Sequence, residues 1–445
     1  MFKSRNWKIA SVCAFIFILG GILMLGLSGC QESGPVAILF GSDAHVDVTD
    51  MDSSSMLRKV VKHAYEKEPE LDAMVMVGDL VNNGTDEEYS TFMSILKDIK
   101  KDDTKFTACM GNHEWYKYGW GVNVLANAGM SEEMQSMFES YTKCGIESDI
   151  KVKGIHIISV SPDNEMDVYH TREAYARKQI EAAAKEDPDK PIFFVAHKNV
   201  DHTVISTWNG ADDSITGLAP DWSDEFKAFL AQYPQLIYIS GHTHNSIKDS
   251  RSIYQEAYTH VNDGCMRYGE YLMVNISADN VVTIHRMDAQ NDQEIGDPWV
   301  IDIKAVKESK DNFKYGAARY EASAQLNFPQ EAELSIDQIT PNSVTVTFPT
   351  ASGKDEVDCD YVMSYIFTIT DKETGEKIDP NGTDDEWPEG HIRVWFDDYY
   401  GVFESNTRVF EGLSPNTSYT IEVYAINALD KPGNTIRTEF TTPAE

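Results

Sequence analysis

Residues 108–116 read ACMGNHEWY. An apolar run that ends at Met110 gives way at once to glycine, asparagine, histidine and glutamate. Strand ends often carry glycine and asparagine as turn formers, so this stretch alone is ordinary. Its weight comes from repetition. VAILF (36–40) runs into GSDAH, with Asp43 and His45; AMVMV (73–77) runs into GDLVNNG, with Asp79; and FTACM (106–110) runs into GNHE, with Asn112 and His113. IFFVA (192–196) then leads to His197, and LIYIS (236–240) to GHTH, with His242 and His244. A further apolar run, IHIISV (155–160), ends without such a cluster. Met56, Leu57, Val60, Val61, Ala64 and Tyr65 recur at helical spacing between the first two strands. Similar patterns predict helices over 86–101, 172–186 and 223–232. Strands alternating with helices predict an α/β domain. In an open α/β sheet the carboxyl ends of the strands line the ligand crevice, so these motifs are expected to converge.

Each motif has a bland reading as a turn, a cap or a core histidine. Together, in this order and all at strand ends, they predict a site for two metal ions. Imidazole, carboxylate and amide groups suit borderline or hard divalent cations. A shared carboxylate can hold two of them about 3.5 to 4 Å apart. Such a pair generates hydroxide from a bridging water at neutral pH and neutralises phosphoryl oxygens during in-line attack.

These residues resemble the calcineurin-like metallophosphoesterase family, whose pattern is D-x-H, G-D, G-N-H-E/D, H and G-H-x-H. The resemblance covers about Pro35 to Asp288, with every block present. It implies a fold of two mixed sheets flanked by helices. It implies that Asp43, His45 and His244 bind one metal, that Asn112, His197 and His242 bind the other, and that Asp79 bridges. It also implies that His113 contacts the phosphate and protonates the leaving oxygen. Purple acid phosphatases, a related branch, carry a metal-binding tyrosine three residues after the bridging aspartate; here that position is Asn82. That branch also lacks the histidine that His45 supplies. An iron-tyrosinate centre is therefore rejected, and Mn, Fe or Zn are the expected ions.

The chain has 445 residues, 42% of them hydrophobic and 11% aromatic, enough for two or three domains with real cores. Its formal net charge of -34 argues against binding a nucleic-acid polymer, whose phosphates it would repel. A phosphate-bearing substrate needs a local positive centre, which two metal ions would provide. The N-terminus places Lys3, Arg5 and Lys8 before an apolar run from about Ile9 to Leu27, the form of an export signal. Leu27, Ser28, Gly29 and Cys30 resemble a bacterial lipobox, with Cys30 as the lipidated residue. A retained transmembrane helix is the alternative, and either tethers residues 31 onward outside the membrane. Apart from Cys13 and Cys30, four cysteines remain: Cys109, Cys144, Cys265 and Cys359. Cys109 is expected as a core thiol; the pairing of the others is open.

Beyond Ser240 the pattern turns to strands. YLMVNIS (271–277) and VVTIHRM (281–287) predict a hairpin around Asp279 and Asn280, expected to complete a second sheet of a domain spanning 35–300. Residues 301–330 read as a polar connector with some helix. From 331 to 445 apolar and polar residues alternate between turn formers, the pattern of an all-β sandwich. Leu413, Pro415, Thr417 and Tyr419 resemble the tyrosine corner of fibronectin type III modules, in which the tyrosine hydroxyl bonds to nearby backbone. An acidic, aromatic insertion at 379–401 departs from the usual length of that module.

Trp115, Tyr116, Tyr118 and Trp120 follow the candidate catalytic histidine, where they could stack on a base or sugar, or pack over the crevice. Packing is preferred. Glu114 is expected to orient His113 or contact substrate, with a plain surface role as the alternative, and His202, His260 and Arg267 are further substrate-contact candidates. The expectation is a membrane-tethered phosphoesterase, with phosphomonoesters favoured. A phosphodiesterase acting on nucleotides, phospholipids or wall polymers is the alternative within the class. The alternative outside it is a non-catalytic surface protein whose sandwich binds polysaccharide or another partner.

Overall fold

The structure is a computed structural model that describes residues 35–119, 128–164, 169–200, 203–205, 222–353, 362–378, 392–395, 406–429 and 431–445. The export signal with Cys30, His202, Trp120, Cys359 and most of the 379–401 insertion lie outside those residues.

The run of residues 36–41 cannot be assigned to one face by polarity, because it is apolar throughout. Its neighbours explain this. In β1 (Val36–Gly41), Val36, Ile38 and Phe40 enter one hydrophobic core while Ala37 and Leu39 enter another. β2 (Ala73–Val77) divides in the same way, with Ala73, Val75 and Val77 on the inner side and Met74 and Met76 on the outer. Both faces of these strands are covered, which is why alternation is absent.

The first sheet pairs β3 (Lys105–Cys109), β2 and β1 in parallel, then continues antiparallel through β10 (Glu270–Ile276) and β11 (Val281–Asp288). β12 (Gln293–Glu294) and β13 (Trp299–Asp302) both pair with β11. The predicted hairpin therefore forms, but it extends the sheet of β1 rather than completing the second one. Ala37 to Phe40 pair with Asn275 to Leu272, so the chain returns to the free edge of its own first strand.

The second sheet has the order β4 (Glu147–Val152), β5 (Ile155–Val160), β6 (Ile192–Val195), β7 (Leu236–Ser240), β9 (Thr259–Asn262), β8 (Ile253–Gln255). β5, β6, β7 and β9 run parallel, and the two edge strands are antiparallel. The sheets pack face to face, with Phe40 and Phe193 in ring contact 5.1 Å apart between them. Helices α1 (Met51–Lys67), α2 (Asp86–Ile99) and α3 (Ala128–Thr142) cover the outer face of the first sheet. α4 (Glu173–Glu186) and α5 (Asp224–Leu230) cover the second. α2 starts at a capping box in which Thr85 and Glu88 satisfy each other's backbone N–H groups.

Residues 301–330 hold α6 (Ile303–Glu308) and α7 (Ala317–Ala322). Two antiparallel sheets follow. One joins β14 (Ser335–Thr340), β15 (Ser343–Thr347) and β19 (Thr407–Glu411). The other joins β17 (Lys377–Ile378), β16 (Val362–Asp371), β20 (Ser418–Asn427) and β21 (Pro432–Thr441), with β18 (Ile392–Trp395) also on β16. Val344, Val346 and Phe410 of the first pack with Phe367, Ile421 and Val423 of the second, forming a β-sandwich core. The Tyr419 hydroxyl accepts the Ser414 backbone N–H at 2.9 Å. Cys109, Cys144 and Cys265 are buried thiols.

Candidate metal centre

The polar motifs sit just past the carboxyl ends of β1, β2 and β3 in one sheet and of β6 and β7 in the other. The chain must turn sharply off each sheet there. Asp43 (φ 55°), His45 (φ 42°), Asp79 (φ 50°), His242 (φ 71°) and His244 (φ 54°) all take left-handed backbone. Such conformations cost non-glycine residues of order 1–3 kcal/mol each and persist only where the surroundings impose them. Ordinary turns would place glycine or asparagine at these positions.

The side chains converge. Asp79 Oδ2 lies 3.1 Å from His197 Nε2, 3.8 Å from His45 Nε2 and 4.0 Å from His113 Nε2. Asp43 Oδ1 lies 3.1 Å from His244 Nε2, 3.5 Å from His45 Nε2 and 3.9 Å from His197 Nε2. His45 and His244 present their Nε2 atoms to each other at 2.9 Å. Ligand atoms of Asp43, His45, Asp79 and His244 all fall within 4.8 Å of one another. On the adjoining side His242 Nδ1 meets Asn112 Oδ1 at 3.0 Å. The Asn112 amide donates to the Tyr116 hydroxyl at 2.8 Å, which leaves its oxygen turned toward His242.

Backbone carbonyls orient two of the rings. His197 Nδ1 is 2.7 Å from Val77 O, and His113 Nδ1 is 2.7 Å from Asn82 O. A carbonyl only accepts, so both Nδ1 atoms carry the proton and both Nε2 atoms face the carboxylates. This is the outer-shell arrangement that readies an imidazole to ligate a cation. The motif glycines have a related cause. A Cβ on Gly78, which has φ +87°, would meet the His197 ring at 2.6 Å, and one on Gly111 would meet Asp79 Oδ1 at 2.3 Å.

The charges agree with a cation site. Burial works to raise the Asp43 carboxyl, yet the His244 and His197 rings beside it hold it well below the ordinary carboxylate range. Asp79 is likewise held down against burial, by His197 and His113. Burial pushes His242 well below the usual imidazole value and lowers His113 too. His244 is raised despite its burial, because of Asp43. Carboxylates interleaved with imidazoles and an amide oxygen make a donor set for divalent ions. The residues fit the metals that the sequence implies.

The residues proposed as metal ligands, Asp43, His45, Asp79, Asn112, His197, His242 and His244, are thus together, and His113 stands beside them. The expected substrate contacts fare differently. Glu114 is fully buried and turns away from the crevice: its carboxylate accepts the backbone N–H groups of Asp79, Leu80, Val81 and Gly111 at 2.6 to 3.2 Å. Burial and the Asp79 charge push it up to about 8. It holds the second and third strand ends together and does not touch the crevice. Trp115 is also fully buried, in the core beneath α2 and α3, so packing claims it. Tyr116 stays at the site, its ring 4.7 Å from that of His113. Arg267 is partly exposed and pairs with Asp50 at 2.8 Å. His260 is interior, bonded to Thr203 at 2.7 Å and Ser240 at 2.9 Å, and is no substrate contact.

Sequence reading missed Tyr268, which is 56% exposed with its ring 6.3 Å from that of His244. It follows no apolar run that would have flagged it. Backbone bonds from Met266 to Ser42 O and from Arg267 to Asp43 O seat this turn against the first motif.

Residues 36–246 match the calcineurin-like phosphoesterase family. Among solved structures, a purple acid phosphatase from yellow lupin (Lupinus luteus) seeds aligns at 12% identity, covering 63% of this chain and 56% of that one, with a TM-score of 0.45. This chain therefore spans little more than half the length of that relative. A Thermus thermophilus protein aligns at 14% identity over 60% of this chain and 99% of its own, with a TM-score of 0.32. No curated protein matches the chain.

Proposed function

From residues 36–246 as a calcineurin-like metallophosphoesterase domain, a metal-dependent phosphoesterase unit, we propose that the whole protein is an extracytoplasmic hydrolase of phosphoric esters, phosphomonoesters foremost. One observation supports this above the others: a single oxygen, Asp79 Oδ2, faces the Nε2 atoms of three histidines within 4.0 Å. Asp43, His45 and His244 would hold one ion and Asn112, His197 and His242 the other, with the Asp79 carboxylate available to both. When bound, the pair supplies a hydroxide nucleophile near neutral pH and offsets charge on the phosphoryl oxygens.

The chain's own groups do the rest. His113 takes no part in ligation; with Nδ1–H held by Asn82 O, its Nε2, once it has taken up a proton, passes that proton to the leaving oxygen. Asn112, anchored by Tyr116, keeps its amide oxygen turned toward His242, where it would serve the second ion. Glu114, by tying four backbone N–H groups, keeps Asp79 and Asn112 in register. The tether is assigned to residues 1–30, with Cys30 as the lipid site, and residues 35–300 to the catalytic domain. Residues 331–445 are assigned to a fibronectin type III-like module, a reading supported by the Tyr419 bond to Ser414. The module serves as spacer or surface-binding unit.

The test is hydrolysis of p-nitrophenyl phosphate and its bis-ester by the full-length chain in detergent, loaded with Mn, beside Asp79→Asn. Turnover of the monoester in excess, lost in the variant, supports the proposal. A faster bis-ester reverses the preference, and no turnover with two ions bound would make the site a scaffold.

A further inference from the structure

Behind the metal-facing side of Asp43 lies a second carboxyl that the proposed reaction does not use. Asp263 follows β9 in the second sheet, is wholly buried, and is fixed by its backbone N–H on Ser240 O at 2.8 Å. Its Oδ1 lies 2.6 Å from Ser42 Oγ. The same Ser42 Oγ contacts Asp43 Oδ2, and Gly264 O stands farther off at 3.4 Å. A hydroxyl therefore joins two carboxyl groups, one from each sheet.

A serine hydroxyl carries one hydrogen, and two short oxygen–oxygen contacts need two. One carboxyl must supply the second. Asp43 is not that group, because its other oxygen faces three imidazoles and its Oδ2 also accepts the His242 N–H at 3.0 Å. The proton therefore sits on Asp263. Burial, reinforced by the Asp43 charge, pushes the Asp263 carboxyl well above its ordinary value, in keeping with that count. Asp263 Oδ2 is buried with no hydrogen-bond partner among the described residues. A neutral acid bears such a bare oxygen at far less cost than a carboxylate does.

We propose that Asp263 is a positioning residue for Asp43: as a neutral donor it orients Ser42, and Ser42 donates to Asp43 Oδ2, so that Oδ1 is the oxygen presented to the metal. The inference rests on Asp43 being a metal ligand but not on turnover. It gives the serine of GSDAH and the aspartate of VNDG a joint role across the two sheets. The asparagine amide has the shape of the neutral acid and can donate in its place.

Mn binding to the metal-free, full-length chain in detergent, measured by titration calorimetry at pH 7, tests it. Asp263→Ala and Ser42→Ala each weaken binding by about tenfold. The double variant is no weaker than the singles by more than about twofold, because both break one chain of bonds. Asp263→Asn stays within about twofold of wild type, a rescue that a requirement for a charged carboxylate would not permit. Should Asp263→Ala fail to fold, Ser42→Ala against Asp263→Asn carries the same comparison. Wild-type affinity in Asp263→Ala or Ser42→Ala, or an Asp263→Asn as weak as Ser42→Ala, overturns the inference. A wild-type chain that binds no Mn overturns the metal site itself, and the inference with it.

Discussion

Asp79 Oδ2 and His197 Nε2 lie 3.1 Å apart although they belong to different sheets. Asp79 follows β2 and His197 follows β6, and 118 positions of chain separate them. The pair couples the two halves of the catalytic domain, because the His197 Nδ1–H reaches back to Val77 O at the end of β2. The site is therefore a seam between sheets.

His113→Ala should leave metal content unchanged while lowering kcat on an alkyl phosphate by about 10²–10⁴-fold. A p-nitrophenyl ester, whose leaving group needs no proton, should lose much less. Parallel kinetics on the two esters check this, and equal losses would remove His113 from the acid role.

Gly78→Ala puts a methyl 2.6 Å from the His197 ring on a backbone with φ +87°. Strain and overpacking together should cost about 2 kcal/mol or more, and His197 should be displaced from Asp79. Thermal unfolding and metal content should both fall; a variant with wild-type values for both would contradict the close packing of these residues.

His260 should steepen acid destabilisation. Burial lowers it to about 3, below its ordinary 6.5, so the unfolded chain takes up the proton first. Its contribution is complete above pH 6.5 and is lost as pH falls toward 3, at about 1.4 kcal/mol per pH unit. His260→Gln should unfold at lower temperature at pH 7, with a gap from wild type that narrows toward pH 4. A gap that stays constant across a pH series of melting curves would show that His260 does not carry this dependence.

Tyr419→Phe removes the acceptor of the Ser414 N–H and should destabilise the sandwich by about 1 kcal/mol. Phosphoester hydrolysis should be untouched, since the change lies outside the catalytic domain. Calorimetric unfolding that shows the loss only in the catalytic transition would refute the assignment.

The strands that carry the site were legible because each is a short apolar run that ends in polar residues, in four of the five with a glycine between. β8 and β9 were not, since THVN over 259–262 is too short and too mixed in polarity to stand out. Reading β9 would have placed Asp263 at a strand end, and the same logic would have flagged it. The direction of Glu114 was hidden for another reason. A glutamate beside a candidate catalytic histidine reads as polar and exposed, whereas here four backbone N–H groups, brought together only by folding, solvate it in the interior.

Sequence alone marked the candidate donors and their order along the chain, because ligand chemistry depends on residue type and strand ends are marked locally. It also determined that the chain closes with alternating strands. Tertiary structure decided that the 270–288 hairpin returns to β1, that Asp79 of one sheet meets His197 of the other, and that Trp115 fills a core while Tyr268 lines the rim. Those outcomes depend on which sheet edge remains open and which faces become covered, and such long-range packing leaves no periodic trace in the residues themselves.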